Sequence, residues 1–216
     1  MAKTDDWFRN ARWNSVEETA FLKRLSRSRS TYSKAQYARI KASYLQDSAD
    51  PVRVRAAIAL LNRTIVEWPV ESELACCYWQ LANCHLKLGD LDQSIESFRK
   101  CFNQERVYPN AGTRAWSDFS RFVAERRLKH LYDEALEIMR SREKSAIFPI
   151  DKFFLHAVRA VIAREQGNLE YARREAAEAL EQATRSDSGM ANHPTLGLVE
   201  GQERWITKLN VILGES

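Results

Sequence analysis

Long apolar runs, glycine, proline and recognisable catalytic motifs are all scarce in this 216-residue sequence. The longest apolar runs are six residues, Ala56 to Leu61 and Leu74 to Trp79. A membrane helix needs roughly 20, so no bilayer-crossing segment is expected. The opening Met1-Ala2-Lys3-Thr4-Asp5-Asp6 has no apolar signal core, which implies a cytoplasmic protein. With 7 glycines and 5 prolines, the chain lacks the turn residues of an all-β fold. The four cysteines, Cys76, Cys77, Cys84 and Cys101, fall within 26 residues but form no C-x-x-C, and no histidine pair has zinc-finger spacing. Reduced thiols in tight helix contacts are the expectation, with a shared metal site as the alternative. H-E-x-x-H, G-x-S-x-G and phosphate-binding glycine loops are missing. Asp5-Asp6 and Glu17-Glu18 are adjacent pairs, and adjacent residues on a helix do not face one another. No enzyme activity, cofactor or metal is expected.

What is present is a core-forming composition. Hydrophobic residues make up 44% and aromatics 10%, which excludes disorder as the main state. A chain of this size buries roughly 70% of its unfolded surface and needs no staples. Length allows one domain or two small ones.

Aromatic-proline pairs disclose a repeat. Trp68-Pro69, Tyr108-Pro109 and Phe148-Pro149 are spaced 40 residues apart, and His193-Pro194 follows 45 residues later. Each interval holds two helices and two turns. A residue before proline is pushed out of helical geometry, so each pair is expected to close a helix pair. In the second interval Tyr78, Leu81, Ala82 and His85 precede Leu88-Gly89-Asp90, and Ser94, Ile95, Phe98 and Cys101 follow. That is helical spacing around a left-handed stop at Gly89 and a cap at Asp90.

The stretch from Ala75 to Pro109 resembles a tetratricopeptide repeat. Tyr78, Leu81, Ala82, Gly89 and Phe98 stand at that family's signature positions. His85, Ser94 and Cys101 depart from it, and Pro109 arrives three residues late. Phe153 to Arg185 is a weaker unit with Ala160, a Gly167-Asn168 turn, Ala172, Ala176 and Ala179. Another weak unit pairs a helix over Lys34 to Gln46 with one opened by Pro51 and carrying Ala57, Ile58, Leu61, Thr64 and Ile65. The third interval has Trp116, Phe119, Phe122, Val123, Ala135, Leu136 and Met139, with a turn near Lys129-His130 that lacks glycine. The resemblance implies an all-α right-handed α-solenoid of TPR-like helix pairs, with about nine or ten helices from the turn signals. Residues 1–33 are expected to be an aromatic segment and capping helix, with a Ser15-Glu18 capping box and a Phe21, Leu22, Leu25 stripe. Repeats fill 34–188, with units ending near Pro69, Pro109, Pro149 and Arg185. Residues 189–216 form a loop and a final helix whose Trp205, Leu209, Ile212 and Leu213 seal the stack.

Charge is uneven. Residues 1–64 carry a net +7 and the remainder a net −3. From Thr19 to Gln46 lie Lys23, Arg24, Arg27, Arg29, Lys34, Arg39 and Lys41, with no acid. This is either a solvated cap face or an attraction for phosphate or an acidic protein. Trp7, Phe8 and Trp13 crowd the first 13 residues. They either dock on the first helices or anchor a partner.

The resemblance implies binding on the concave face, lined by first helices. Carried over residue by residue, the face holds Trp79, Gln80, Asn83 and Lys87 from the strong unit, Arg121 and Arg127 from the third, registered on Ala135, and Arg164 from the fourth. Asn83 matches an asparagine that some relatives use to hold a peptide backbone or carboxylate; Trp79 stands where their clamps place lysine. Trp79 is also large enough to be buried between units. Indole, amide and guanidinium together suit a protein or peptide segment with acidic and apolar parts. The expected function is a non-catalytic adaptor or scaffold. A bacterial regulator, a secretion-linked chaperone and a toxin-neutralising partner all stay open within it, although such chaperones are more often acidic and this chain has a pI ≈ 8.9. The alternative is a nucleic-acid-associated protein using the basic N-terminal region.

Overall fold

A computed structural model describes residues 6–214. The first five residues, on which the missing signal core was read, and the last two lie outside the described residues. The described residues form ten α-helices, two short 3-10 turns and no strand. No helix among them is long and apolar enough to cross a membrane. The chain divides into two compact units, Met1–Ala115 and Trp116–Ser216.

The first unit holds α1 (Ser15–Ser26), α2 (Thr31–Gln46), α3 (Pro51–Glu67), α4 (Glu71–Leu88) and α5 (Leu91–Val107). Neighbours in sequence pack as neighbours in space, α2 on α3, α3 on α4 and α4 on α5, with α2 also meeting α4. The caps follow local chemistry. Asn14, not Ser15, caps α1: its side chain accepts from the N–H groups of Val16 and Glu17. An asparagine one residue upstream fills the acceptor role expected of the serine. Ser30 caps α2, Asp50 caps α3 with Pro51 at its first position, and Asp90 caps α5.

The second unit holds α6 (Ala115–Glu125), entered at the boundary, then α7 (Tyr132–Arg142), α8 (Pro149–Glu165), α9 (Leu169–Ala183) and α10 (Glu203–Gly214). α8 packs on α9, and α10 folds back against both. Trp205, Leu209 and Ile212 bury the inner face of α10, whereas Leu213 stays 40% exposed. Leu213 follows Ile212 directly, and 100° of helical rotation turns it outward.

Three helix pairs close with one turn. After α4, Gly89 is left-handed (φ 79°), its N–H donates to Leu86, and the Asp90 N–H donates five residues back to His85 at 3.0 Å. After α8, Gly167 (φ 81°) and Asn168 repeat the pattern, the latter donating to Ala163 at 2.9 Å. After α6, Arg127 (φ 53°) and Leu128 do the same, with Leu128 donating to Val123 at 3.0 Å. This bonding satisfies carbonyls that a helix end leaves open. Two turns use glycine, where a left-handed backbone carries no side-chain penalty; the third forces an arginine into it.

Aligned on these turns, the crossings also match. Ser94 donates to the Ala82 carbonyl at 3.0 Å across α4 and α5, and Ser120 donates to the Ala135 carbonyl at 3.4 Å across α6 and α7. Ala160 and Ala172 hold the corresponding places on α8 and α9, and all six residues are fully buried. Small side chains let backbones approach this closely. The third pair carries a 3-10 turn, Lys129–Leu131, before α7. Its first helix is therefore offset by three residues from a register set on Ala135, and Arg121 takes the place that Asn83 holds on α4.

The aromatic-proline pairs do not share one role. Trp68 and Tyr108 end α3 and α5 with extended φ of −134° and −129°. Phe148 instead starts α8, with Pro149 at the first helical position. α7 stops after 11 residues where α5 runs for 17, so the third pair falls beyond its helix. His193-Pro194 lies in the loop before α10, where Ser188 donates to the carbonyls of His193 and Pro194.

Candidate functional site

In the first unit the N-terminal aromatics dock internally. Trp7 packs on Phe8, Phe21 and Tyr37, and Trp13 packs edge-on against Phe21. Lys41 holds this segment down. It is 3% exposed, so it does not belong to the solvated basic face. Its Nζ donates to the Asn10 carbonyl, Asn10 Oδ1 and the Arg12 carbonyl at 2.7–2.9 Å, and lies 5.4 Å from the Trp13 ring centroid. A buried ammonium with three acceptors and an aromatic face is satisfied without water. Burial pushes its pKa down to about 8. No spacing rule marks this lysine; a signal was available in Asn10, whose side chain is a ready acceptor beside three apolar rings.

The four expected residues on α4 differ in access. Gln80 is buried, and its Oε1 has no hydrogen-bond partner. Trp79 and Asn83 are half-buried and Lys87 is exposed. Lys87 donates to the Gln46 carbonyl, tying the end of α4 to the end of α2. Nearby, Arg39 of α2 pairs with the buried carboxylate of Glu73 on α4. The cysteines are free thiols, three of them buried. Burial pushes Cys77 and Cys84 up to about 12, which leaves them protonated and unreactive near neutrality. Among the described residues no group of three or more His, Cys, Asp or Glu side chains could hold a metal ion.

The second unit brings Arg127 and Arg164 together. They line a cleft of about 180 Å³ with Glu125, Glu165, Lys208 and an apolar floor that includes Val161, Val211 and Ile212. α6 supplies Glu125, the left-handed turn supplies Arg127, α8 supplies Val161, Arg164 and Glu165, and α10 supplies the rest. Arg127 Nε lies 3.2 Å from Glu165 Oε1, with the arginine side chain 68% exposed. Among the described lining residues there are three cations, Arg127, Arg164 and Lys208, and two carboxylates, Glu125 and Glu165. Arg121 is not among its lining residues. Its guanidinium stacks 4.1 Å from the Phe154 ring centroid, 3.8 Å from Asp118, and its Nε is buried without a hydrogen-bond partner. Sequence reasoning missed Lys208 and Val211 because α10 was assigned to sealing alone. They are three residues apart and border the buried face of α10, with Ile212 lining the same cleft and Lys208 Nζ 5.1 Å from the Trp205 ring centroid.

Elsewhere in the unit, His156 Nδ1 lies 2.9 Å from Glu175, and Arg159 pairs with Glu143 through two 3.2 Å bonds. Those bonds hold the Glu143 carboxyl below its usual range. Burial works to raise Glu175, but the His156 hydrogen bond and the His156 and Arg159 charges outweigh it and lower its pKa.

Compared with protein-family models, with curated proteins and with solved structures, the chain matches none.

Proposed function

We propose that this chain is a cytoplasmic, non-catalytic adaptor built as a short right-handed solenoid of TPR-like helix pairs, and that it holds an acidic, partly apolar segment of a protein or peptide. The carrying observation is that Arg127 and Arg164, selected separately from two intervals of the sequence, line one cleft with an apolar floor. A volume of about 180 Å³ lies below the 300–1,000 Å³ typical of small-molecule pockets. It suits one side chain or a chain terminus. A carboxylate on the partner would meet the guanidinium forks, and the neighbouring aliphatic side chain would cover Val161 and Val211. Arg127 is already paired with Glu165, which keeps it oriented. Within the first unit, Trp79, Asn83 and Lys87 on α4 belong to the same reading as further partner-facing positions, whereas Gln80 is buried and Arg121 of the second unit is packed on Phe154. Matching turns and small-residue crossings in three helix pairs support the repeat reading. A rigid helical face also limits the ordering cost of binding.

Selection of random peptides displayed against the full chain tests this reading. The expected consensus has Asp, Glu or a free C-terminal carboxylate beside Leu, Ile or Val, and Arg164→Glu abolishes enrichment while helix content by circular dichroism is retained. A basic consensus, or no enrichment, overturns it.

A further inference from the structure

One buried hydroxyl near the Arg127–Glu165 pair makes no hydrogen bond. Tyr132, the first residue of α7, is 3% exposed, and its hydroxyl has no hydrogen-bond partner among the described residues. We propose that Glu165 is an exchangeable latch: it pairs with Arg127 in the free chain and accepts from the Tyr132 hydroxyl when an acidic segment engages Arg127. The identity of that segment rests on the adaptor reading above. The exchange itself rests on the chain's own residues.

Position comes first. Arg127 stands in the turn after α6, a 3-10 turn covers Lys129–Leu131, and Tyr132 opens α7 five residues after Arg127. Glu165 ends α8, which packs on α7. Arg127 Nε lies 3.2 Å from Glu165 Oε1, so the start of α7 and the end of α8 meet at one edge of the cleft. Burial pushes the Tyr132 pKa up, the Glu165 carboxylate pushes it further and Arg127 opposes them. The phenol therefore stays protonated near neutrality and is available as a donor.

Energetics comes second. A buried donor without an acceptor costs free energy, and folded proteins keep few of them. A second arrangement that satisfies it offsets that cost. The Arg127–Glu165 pair is cheap to separate, because the arginine side chain is 68% exposed and water solvates it on release. Glu165 is only 17% exposed, so water does not fully replace its partner. Once a partner's carboxylate takes Arg127, Glu165 stands near a like charge and needs a donor. The Tyr132 hydroxyl supplies one, and a hydrogen bond to a carboxylate is stronger than one between neutral groups. Both carboxylates then keep a donor through the exchange. An uncharged segment has no group to displace Glu165 from Arg127, so the latch also favours acid over neutral partners.

A double-mutant cycle in the full chain, without peptide, tests the exchange by urea melts. Arg127→Ala releases Glu165 by removing an exposed side chain. Tyr132→Phe should leave the urea midpoint of the otherwise unaltered chain in place, since it removes no bond, and should lower the midpoint in the Arg127→Ala background. Adding Glu165→Ala to that background should abolish the sensitivity. Equal lowering in both backgrounds would show a hydroxyl already bonded in the free chain, and no lowering in either would show that Glu165 does not turn to it; each result overturns the proposal. The second arm is titration with a displayed peptide that carries the selected acid and aliphatic pair. Tyr132→Phe should weaken its binding about five-fold or more. Equal affinity for the two chains overturns the exchange and leaves the adaptor reading standing. If the unaltered chain enriches no peptide, the adaptor reading and the ligand's part in the exchange fall together, and the cycle without peptide decides whether Glu165 has two donors.

Discussion

The turn after α4 and the turn after α6 are closed by the same pair of backbone hydrogen bonds, yet one is built on Gly89 and the other on Arg127. The α4–α5 pair has helices of 18 and 17 residues and an aspartate cap on its second helix. The α6–α7 pair has two helices of 11 residues, an interposed 3-10 turn and no side-chain cap on α7. The backbone bonding sets the shape of the turn, and the residue at its left-handed position sets the cost. A side chain there costs roughly 1–2 kcal/mol. At Arg127 that cost accompanies a guanidinium delivered to the cleft beside Arg164. Strain retained where a charged side chain enters a cleft is the arrangement expected of a binding position.

The comparison can be broken most forcefully at the crossings. Ala82→Leu should overpack the α4–α5 contact, where a serine hydroxyl already reaches the Ala82 carbonyl, and cost about 1–3 kcal/mol in urea melts. A neutral result would mean that the crossing is looser than 3.0 Å implies. Next come the turns themselves. Gly89→Ala should destabilise the first unit by about 1–2 kcal/mol. Arg127→Gly should change the second unit in the opposite sense, by about 1 kcal/mol or less, because glycine's extra unfolded-state freedom offsets part of the gain. That variant should also bind an acidic peptide more weakly, so stability and affinity separate. Equal signs for the two turn substitutions would end the equivalence.

The smallest expected effect distinguishes the units by pH. Burial lowers the pKa of His85 despite the nearby Asp90. A folded state that resists protonation loses stability as pH falls through the ordinary histidine range near about 6.5. In the second unit Glu143 and Glu175 are lowered, so their contributions are complete above the usual carboxylate range of about 4.3 and vanish only as pH falls through their depressed values. Hydrogen exchange corrected for intrinsic rates should therefore show protection around His85 declining at mildly acid pH while α8 and α9 hold theirs.

Much of the helical architecture was legible because it rests on local rules. Gly89-Asp90 and Gly167-Asn168 announce stops and caps, Pro51 announces a start, and the buried faces follow helical spacing. Features settled by packing were not legible. Nothing local distinguishes Asn14 from Ser15 as a cap, or shows that Arg127 takes a glycine's conformation. Lys41 reads as one basic residue among seven until the chain from Asn10 to Arg12 folds over it. The cleft was half legible: Arg164 came from register, whereas Arg127 was picked with a register three residues out and enters from the turn, and Lys208 and Val211 reach it only through the return of α10, a contact distant in sequence. Trp79 and Asn83 are half-buried on α4, as a helix face carrying both core and surface roles would place them.

A charge-swap cycle tests the central claim most directly. Take a peptide selected for its acidic and aliphatic pair, and measure its affinity for the full chain and for Arg164→Glu, each with the original peptide and with its acid replaced by lysine. The account predicts that either change alone weakens binding at least ten-fold, and that the two together restore much of the loss. Losses that simply add, with no recovery in the doubly exchanged pair, would contradict direct contact between Arg164 and the partner's carboxylate.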